Sequence, residues 1–434
     1  MTGGLLQLVA VGAQNMFLNS NPQRTFFKEK LETHTHFAME SKTLYFQRND
    51  MNVFSMTKLI CQVGRYGDLI SDITLCFTLP DLYYDTVYNG RPRWVKNVAE
   101  TLVSDVTVTL GGTVVDKSYG EWMCISNSLT MHASKVHLYN KMTANTVDCY
   151  DPDILLNQIA PTVPFVKGSL VMLPLSFWFT KNPGCALPLV SMQYEPVYVT
   201  VELRPLVEVY QVNVAGQGYV RPQVGNLAHA FSNFAGPSAA AAAAGLAEID
   251  PYIDVNFVFL DDPERNRFVA ESQDYLIEQL TRIKKDDVMG TMTLQLVLQN
   301  PVKELVFVAQ DVRAQGNNDW MNFTNVDDGS DIVQTVKILF NGFERLGERP
   351  IEYFKYLQPH KYHTASPRDG VYVYSFSLYP ERFQPSGECN MSKINSVQLC
   401  VSIAPGVQCS LVVYAVNYNF LRIASGMAGI AFAL

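Results

Sequence analysis

Apolar and polar positions alternate along this chain in short runs, and the runs have the length of strands. Val197-Tyr198-Val199-Thr200-Val201-Glu202-Leu203 sets valines and a leucine at every second position with Tyr, Thr and Glu between them. That period of two predicts a strand with one buried face. Comparable runs occur at Val53–Val63, Ile70–Leu79 and Thr101–Leu110 in the first half. The second half has them at Asp250–Leu260, Tyr275–Leu280, Met292–Leu298, Leu305–Ala309, Val333–Phe340, Val371–Leu378, Val397–Ile403 and Leu411–Asn417. Leu173–Phe179 is apolar almost throughout and reads as a strand buried on both faces. Turn chemistry separates the runs: Gly64 to Asp68, Gly111-Gly112, and Asn182-Pro183-Gly184. Trp122–His132 predicts a short helix, another precedes Tyr275, and Asn140–Asp153 reads as a polar loop.

The two halves echo one another. Val108-Thr109-Leu110-Gly111-Gly112 matches Lys337-Ile338-Leu339-Phe340-Asn341-Gly342, each a strand running into a turn. Phe177–Leu203 matches Phe376–Ile403: an aromatic-rich segment, a Pro/Gly corner, then an alternating strand. A repeat of this kind is one supersecondary unit used twice. The expected fold is all-β, two copies of one eight-stranded antiparallel sandwich in tandem with short helices in the loops. The expected divisions are an N-terminal arm at 1–23, a first sandwich at 24–210, a linker at 211–249 and a second sandwich at 250–434. The linker rests on its glycines and prolines and on the run Ala239 to Ala244.

Composition narrows the function. Hydrophobic residues make up 48% of the 434 and charged residues 17%, enough for two cores and little sign of disorder. The net charge of −8 argues against a nucleic-acid groove, which needs a basic face. The densest basic cluster, Arg282-Ile283-Lys284-Lys285, reads as a connection between strands. None of the eight cysteines has C-x-x-C spacing, so zinc ribbons and dithiol redox sites are not expected, and buried free thiols in a reducing compartment are. The first residues lack the basic stretch of a secretory signal, and Ala424–Leu434 is too short to span a bilayer. The reading is of a soluble chain.

The candidate chemistry is thin. His34, His36 and Glu40 have the H-x-H-x3-E spacing with which a cupin barrel holds a divalent metal. The motif's flanking glycines and its second half are absent, with Lys at 28 and Gln at 47, so the histidines read as exposed residues leading into a strand. His360 and His363 stand apart, in a loop after Pro359. Arg65 with Asp68 or Asp72 is a candidate ligand pair whose alternative is a turn ion pair or Asx-turn. G-x-S-x-G, the phosphate-binding G-x-x-x-x-G-K and H-E-x-x-H are all missing. No catalytic, cofactor-binding or metal residue is assigned, and no cofactor is expected.

Several blocks carry a resemblance. Phe177-Trp178-Phe179-Thr180-Lys181-Asn182-Pro183-Gly184-Cys185-Ala186-Leu187-Pro188-Leu189 with Gln193-Tyr194 is similar to the F-F-x-x-x-P-G-L-A-L-P-L corner of major capsid proteins from large eukaryotic double-stranded DNA viruses, the chlorella-virus and iridovirus type. Gly3 to Asn15, Arg65 to Ile73, Tyr275 to Leu280, Gln384 to Ile394, and Asn417 to Met427 also resemble that family. Blocks therefore span nearly the whole chain, and 81–100, 124–168 and 311–330 depart most. The resemblance implies that the two sandwiches are tandem eight-stranded antiparallel jelly rolls, a double jelly roll with its first roll at 24–210 and its second at 250–434, and that the chain is a structural virion protein whose homotrimers form pseudo-hexagonal capsomers of an icosahedral shell. It implies partners in its own copies, neighbouring capsomers and minor capsid proteins, an internal membrane reached only indirectly, no direct nucleic acid, and assembly in the host cytoplasm. Alternatives are a minor or paralogous capsid subunit, a glycan-binding jelly roll, and a cupin-like metalloprotein. Of the sequons Asn322-Phe323-Thr324 and Asn390-Met391-Ser392, Asn322 in a divergent loop is the better glycosylation candidate.

Overall fold

The runs of period two become strands. The computed structural model describes residues 2–47, 55–154, 163–213, 218–236 and 249–432. Its first half supplies β1 Phe37–Tyr45, β2 Thr57–Val63, β3 Leu69–Leu79, β4 Val103–Leu110, β5 Thr113–Tyr119, β6 Ser169–Pro174, β7 Val197–Leu203 and β8 Tyr252–Leu260. The second supplies β9 Gln273–Val288, β10 Thr291–Leu296, β11 Pro301–Asp311, β12 Val333–Phe340, β13 Phe343–Pro350, β14 Val371–Ser375, β15 Val397–Ile403 and β16 Cys409–Ala424.

Each set makes two antiparallel sheets, ordered β1-β8-β3-β6 and β2-β7-β4-β5 in the first half, and β9-β16-β11-β14 and β10-β15-β12-β13 in the second. Adding eight to every number of the first pair yields the second pair, so the same jelly roll occurs twice. Even the accessory strands correspond: Leu187–Pro188 pairs with β3, and Cys389–Asn390 pairs with β11.

Local chemistry repeats with the topology. β7 and β15 bury every second residue in the same pattern. The β4–β5 hairpin turns at Gly111 and Gly112 (φ 55° and 91°), and β12–β13 turns at Asn341 and Gly342 (φ 50° and 82°). Positive φ at both central residues is what a two-residue turn needs to match strand twist, and Gly and Asn adopt it at least cost. One core packs Ile73, Leu75 and Phe77 of β3 against Val199 and Val201 of β7. The other packs Leu305 and Phe307 of β11 against Ile338, Leu399 and Val401. Burying each such side chain contributes about 1.5–3 kcal/mol. Truncating one, as in Phe307→Ala, costs about 3–5 kcal/mol.

The chain divides into two bodies, Met1–Phe37 and Ala38–Leu434. The first holds the helices Gly3–Val9 and Asn15–Asn19, neither with a buried residue. Its extent runs past the arm boundary expected at residue 23.

Four expectations need correction. β6 ends at Pro174, and Trp178–Lys181 is a helical turn rather than the end of a strand. Phe177, Trp178 and Phe179 are all buried, Phe177 stacking on Phe179 at 5.6 Å and Trp178 meeting it edge-on at 5.0 Å. A strand sends neighbouring side chains to opposite faces, whereas a helical turn brings three successive rings to one core. Within 140–153, Val147–Tyr150 is helical, and the helix Ala133–Met142 ends there. The segment 211–249 is not a free linker: Tyr210–Asn213 pairs with Arg91–Trp94, and Phe231 and Phe234 enter the first core. The run Ala239 to Ala244 lies outside the described residues. Finally, the alternating run after it, read as opening the second unit, is β8, which pairs with β3 from Val258↔Leu69 to Tyr252↔Cys76. It closes the first jelly roll, because its apolar face (Ile253, Val255, Phe257) completes that core.

Candidate assembly surfaces

A sheet of a sandwich needs one apolar face. The sheet β9-β16-β11-β14 has two, because Val306, Val308, Val371, Val373, Val412 and Tyr414 line its outer side and are all buried. The cover is the helix Gly120–Thr130, which leaves β5 and lays Trp122, Ile125 and Leu129 on that face. Trp122 meets Tyr414 with ring centroids 5.1 Å apart. Met123, on the opposite side of the helix, anchors in the first core. The helix can start here because position 120 is glycine: a Cβ would collide with the carbonyl oxygens of Glu100 and Val103.

Glu121, in the first turn of this helix, carries the polar part of the seam. It accepts from Arg282 Nη2 at 2.9 Å and from the Tyr414 hydroxyl at 2.8 Å, and Arg204 Nη2 lies at 3.5 Å. Burial and the Glu121 carboxylate push the Tyr414 hydroxyl well above its ordinary value, so it stays a donor. A buried charge held on this many partners costs several kcal/mol to orphan.

Further contacts join the jelly rolls. After β11, Asn318 is fully buried at φ 61° and donates from Nδ2 to the carbonyls of Val207 (2.8 Å) and Tyr210 (3.0 Å). Trp320 Nε1 donates to Glu208 O at 2.9 Å, and the Arg204 guanidinium stacks 4.3 Å from the Trp320 ring. On β9, Gln279 Nε2 donates to Val115 O at 2.6 Å. Beside it Glu278 pairs with Lys181 at 3.0 Å and with Lys303, which also donates to Pro380 O at 2.7 Å. Burial pushes the Glu278 carboxyl up, but the two ammonium groups outweigh it and hold it at about 2. These charges line a cavity of about 560 Å³ at the joint, together with Trp122 and Trp178.

His363 is the buried charge that sequence reading missed. Its side chain is 1% exposed, with Nε2 3.3 Å from Glu304 and Nδ1 3.1 Å from Glu381. Burial opposes protonation, but the two carboxylates prevail and raise the imidazole to about 9. It lies just past the helix Gln358–Tyr362, not in an open loop. Only the fold brings Glu304 and Glu381 to it. Glu278 and Gln279 did have a signal, since they lie in the Tyr275–Leu280 block.

The other candidate residues do not converge on a chemistry. His34, His36 and Glu40 are exposed, and His34 Nδ1 lies 2.8 Å from the carbonyl of its neighbour Thr35. Among the described residues no three His, Cys, Asp or Glu side chains are grouped to hold a metal. Arg65 and Asp68 do not pair with each other. Arg65 binds the carbonyls of Met192 (2.6 Å) and Gln193, and Asp68 grips Arg265 at 3.0 and 2.9 Å while capping Leu260 N at 2.8 Å. Asp72 accepts from Ile73 N at 2.8 Å. Asn322 is half-buried, its Nδ2 donating to Asp319 at 3.0 Å and its Oδ1 accepting from Thr324. Asn390 is exposed and accepts from Ser392 N and Oγ. All eight cysteines are free thiols, and no helix of the described residues is long and apolar enough to cross a membrane.

Two jelly rolls of one strand order, joined by a buried seam, are an architecture that known proteins share. The family described as "Major capsid protein N-terminus" matches residues 25–261, and that described as "Large eukaryotic DNA virus major capsid protein" matches 264–429. The chain belongs to the major capsid proteins of large eukaryotic DNA viruses. It is 33% identical to the major capsid protein of Pyramimonas orientalis virus and 32% identical to that of Phaeocystis pouchetii virus, with all of each chain covered. A chain of the PBCV-1 virus capsid superposes with a TM-score of 0.73 at 26% identity, covering 94% of this chain and 100% of that one. This capsid chain is therefore a structural virion protein with the double jelly roll fold.

Proposed function

We propose that the capsid chain forms homotrimers, pseudo-hexagonal capsomers that tile an icosahedral shell. One observation carries this reading: the two jelly rolls share one strand order and are held side by side by a buried seam. Three such chains around a threefold present six similar wedges, a closed ring of heterologous contacts with a nearly hexagonal outline. The net charge of −8 fits a shell whose partners are other capsomers and minor capsid proteins rather than packaged nucleic acid, with the internal membrane reached only indirectly. Assembly in the host cytoplasm fits eight unpaired thiols. The chain works without catalysis. In this reading the first jelly roll ends after β8, and the interval at 261–264 between the two family matches supports that division. Asn322 stays the glycan acceptor of this reading, and modification there requires its amide to leave Asp319. Intact-mass and glycopeptide analysis checks this.

The deciding experiment is the native mass of the purified chain in solution. A species of three chains is expected, and a monomer at every concentration up to those of assembly would overturn the reading. Copy number per virion then separates a major from a minor capsid subunit.

A further inference from the structure

The cavity at the joint holds polar groups that the chain itself leaves unmatched. Its volume of about 560 Å³ falls in the range of about 300–1,000 Å³ typical of small-molecule sites, which favour the meeting of two domains. Trp122 and Trp178 form part of its wall, and both are buried. Neighbouring rings hold each in place: Trp122 packs on Tyr414 at 5.1 Å, and Trp178 meets Phe179 edge-on at 5.0 Å. Leu175, Leu276 and Val416 add aliphatic wall.

A buried tryptophan ordinarily finds an acceptor for its N–H, as Trp320 does in Glu208 O. Among the described residues neither Trp122 nor Trp178 has one, although they are only 8% and 4% exposed. The hydroxyls of Ser126 and Ser176 lack partners in the same way and line the same space. Asp72, also on the lining, accepts from Ile73 N through Oδ1 and keeps Oδ2 free. The other ionic groups are already matched. Glu278 lies between Lys181 and Lys303, and Glu304 and Glu381 share His363. A charged ligand would add a charge without a partner, which is costly away from water. A neutral ligand suits the site if it accepts from indole N–H groups, donates to a carboxylate and has apolar faces for the rings. The unmatched groups come from β3, the segment after β6, the helical turn Trp178–Lys181 and the helix Gly120–Thr130. A pyranose answers that distribution, with hydroxyls around its edge and C–H groups on its two faces.

We propose that the joint cavity is a binding site for a neutral saccharide of one or two pyranose rings. Trp122 and Trp178 pack on the sugar faces and donate to its oxygens, while Ser126, Ser176 and Asp72 take up its hydroxyls. The site does not depend on the capsomer reading, because every residue in it belongs to one chain. Its wall draws on both jelly rolls, with Leu175 and Trp178 from the first and Leu276 and Val416 from the second. Binding is therefore linked to the integrity of the joint, and a bound saccharide stabilises it.

Saturation-transfer NMR and tryptophan fluorescence of the intact chain test this. The probes are the methyl glycosides of glucose, galactose, mannose and N-acetylglucosamine, together with maltose, lactose and chitobiose. At least one is expected to bind in the millimolar range and to change the fluorescence, with glucuronate and glucosamine binding roughly tenfold more weakly. Trp178→Phe keeps a ring and removes the N–H, and is expected to weaken the saccharide about tenfold. Thr130→Trp, at an exposed position of the lining, is expected to abolish binding by filling the space. If none of these saccharides binds, or if both variants bind as wild type does, the site is wrong. Preference for glucuronate or glucosamine over every neutral probe overturns the ligand class. Should Trp178→Phe misfold, Thr130→Trp still decides. The native mass of the chain is a separate measurement, so failure here and failure of the capsomer reading are distinguishable.

Discussion

His363 shows how much a single residue can depend on the fold. Its ordinary value is near 6.5, and in the folded chain Glu304 and Glu381 raise it to about 9 against the pull of burial. A base whose folded value is raised contributes its full stabilisation below pH 6.5 and loses it as the pH climbs through 9. Urea unfolding of wild type and His363→Gln should therefore converge between pH 6.5 and 10, the difference shrinking by on the order of 3 kcal/mol. Parallel profiles would remove the buried charge. Asp116, an acid, is raised as well, and its stability contribution falls in the same direction of pH. Burial raises its carboxyl to about 7, offset in part by Lys181. A carboxyl raised in the folded state loses stabilisation as the pH rises from about 4 through 7. Asp116→Asn is thus expected to stabilise the chain at pH 8 by about 1–3 kcal/mol and to do little at pH 4. Neither group was legible beforehand, because pKa values follow from neighbours that sequence distance hides.

At the scale of elements, the helix Gly120–Thr130 does most to unite the molecule. A helix near this place follows from the pattern of Trp122–His132, but the pattern says nothing of what it covers. Glu121→Ala strands Arg282 and the Tyr414 hydroxyl in a buried seam and is expected to cost about 3–5 kcal/mol, with Glu121→Gln, which keeps an acceptor, costing less. Gly120→Val should be comparably severe, since the side chain has no room beside the Glu100 and Val103 carbonyls. Denaturant midpoints measure both, and a Glu121→Ala midpoint equal to wild type would show the seam to be solvated. The strands were read well where one face alone is buried, as at β7 and β15, whose alternation is complete. They were misread at Phe177–Phe179, where an unbroken apolar run is compatible with a buried strand and with a buried turn alike.

For the whole molecule, the seam makes two jelly rolls behave as one. Residues 38–434 form a single body with two cores and an apolar bridge between them. Calorimetry of wild type is expected to give one cooperative transition. Trp320→Ala with Glu121→Ala, which loosens two of the joining contacts, is expected to split it into two. A split already present in wild type would show that the contacts at the joint contribute little coupling.

Duplication, the all-β class and the capsid family could be read from the chain itself, because alternation, hairpin turns and shared blocks are local properties that survive without coordinates. Which unit a strand completes could not. β8 follows a Gly- and Ala-rich segment, as a new unit would, yet it pairs with β3 some 180 residues earlier. Closure of a sandwich is decided by which apolar face still lacks a cover, and that is a property of the assembled sheets. The same reason hid the joint: Glu121, Arg282, Asn318 and His363 acquire their roles from partners that only folding brings within hydrogen-bonding distance.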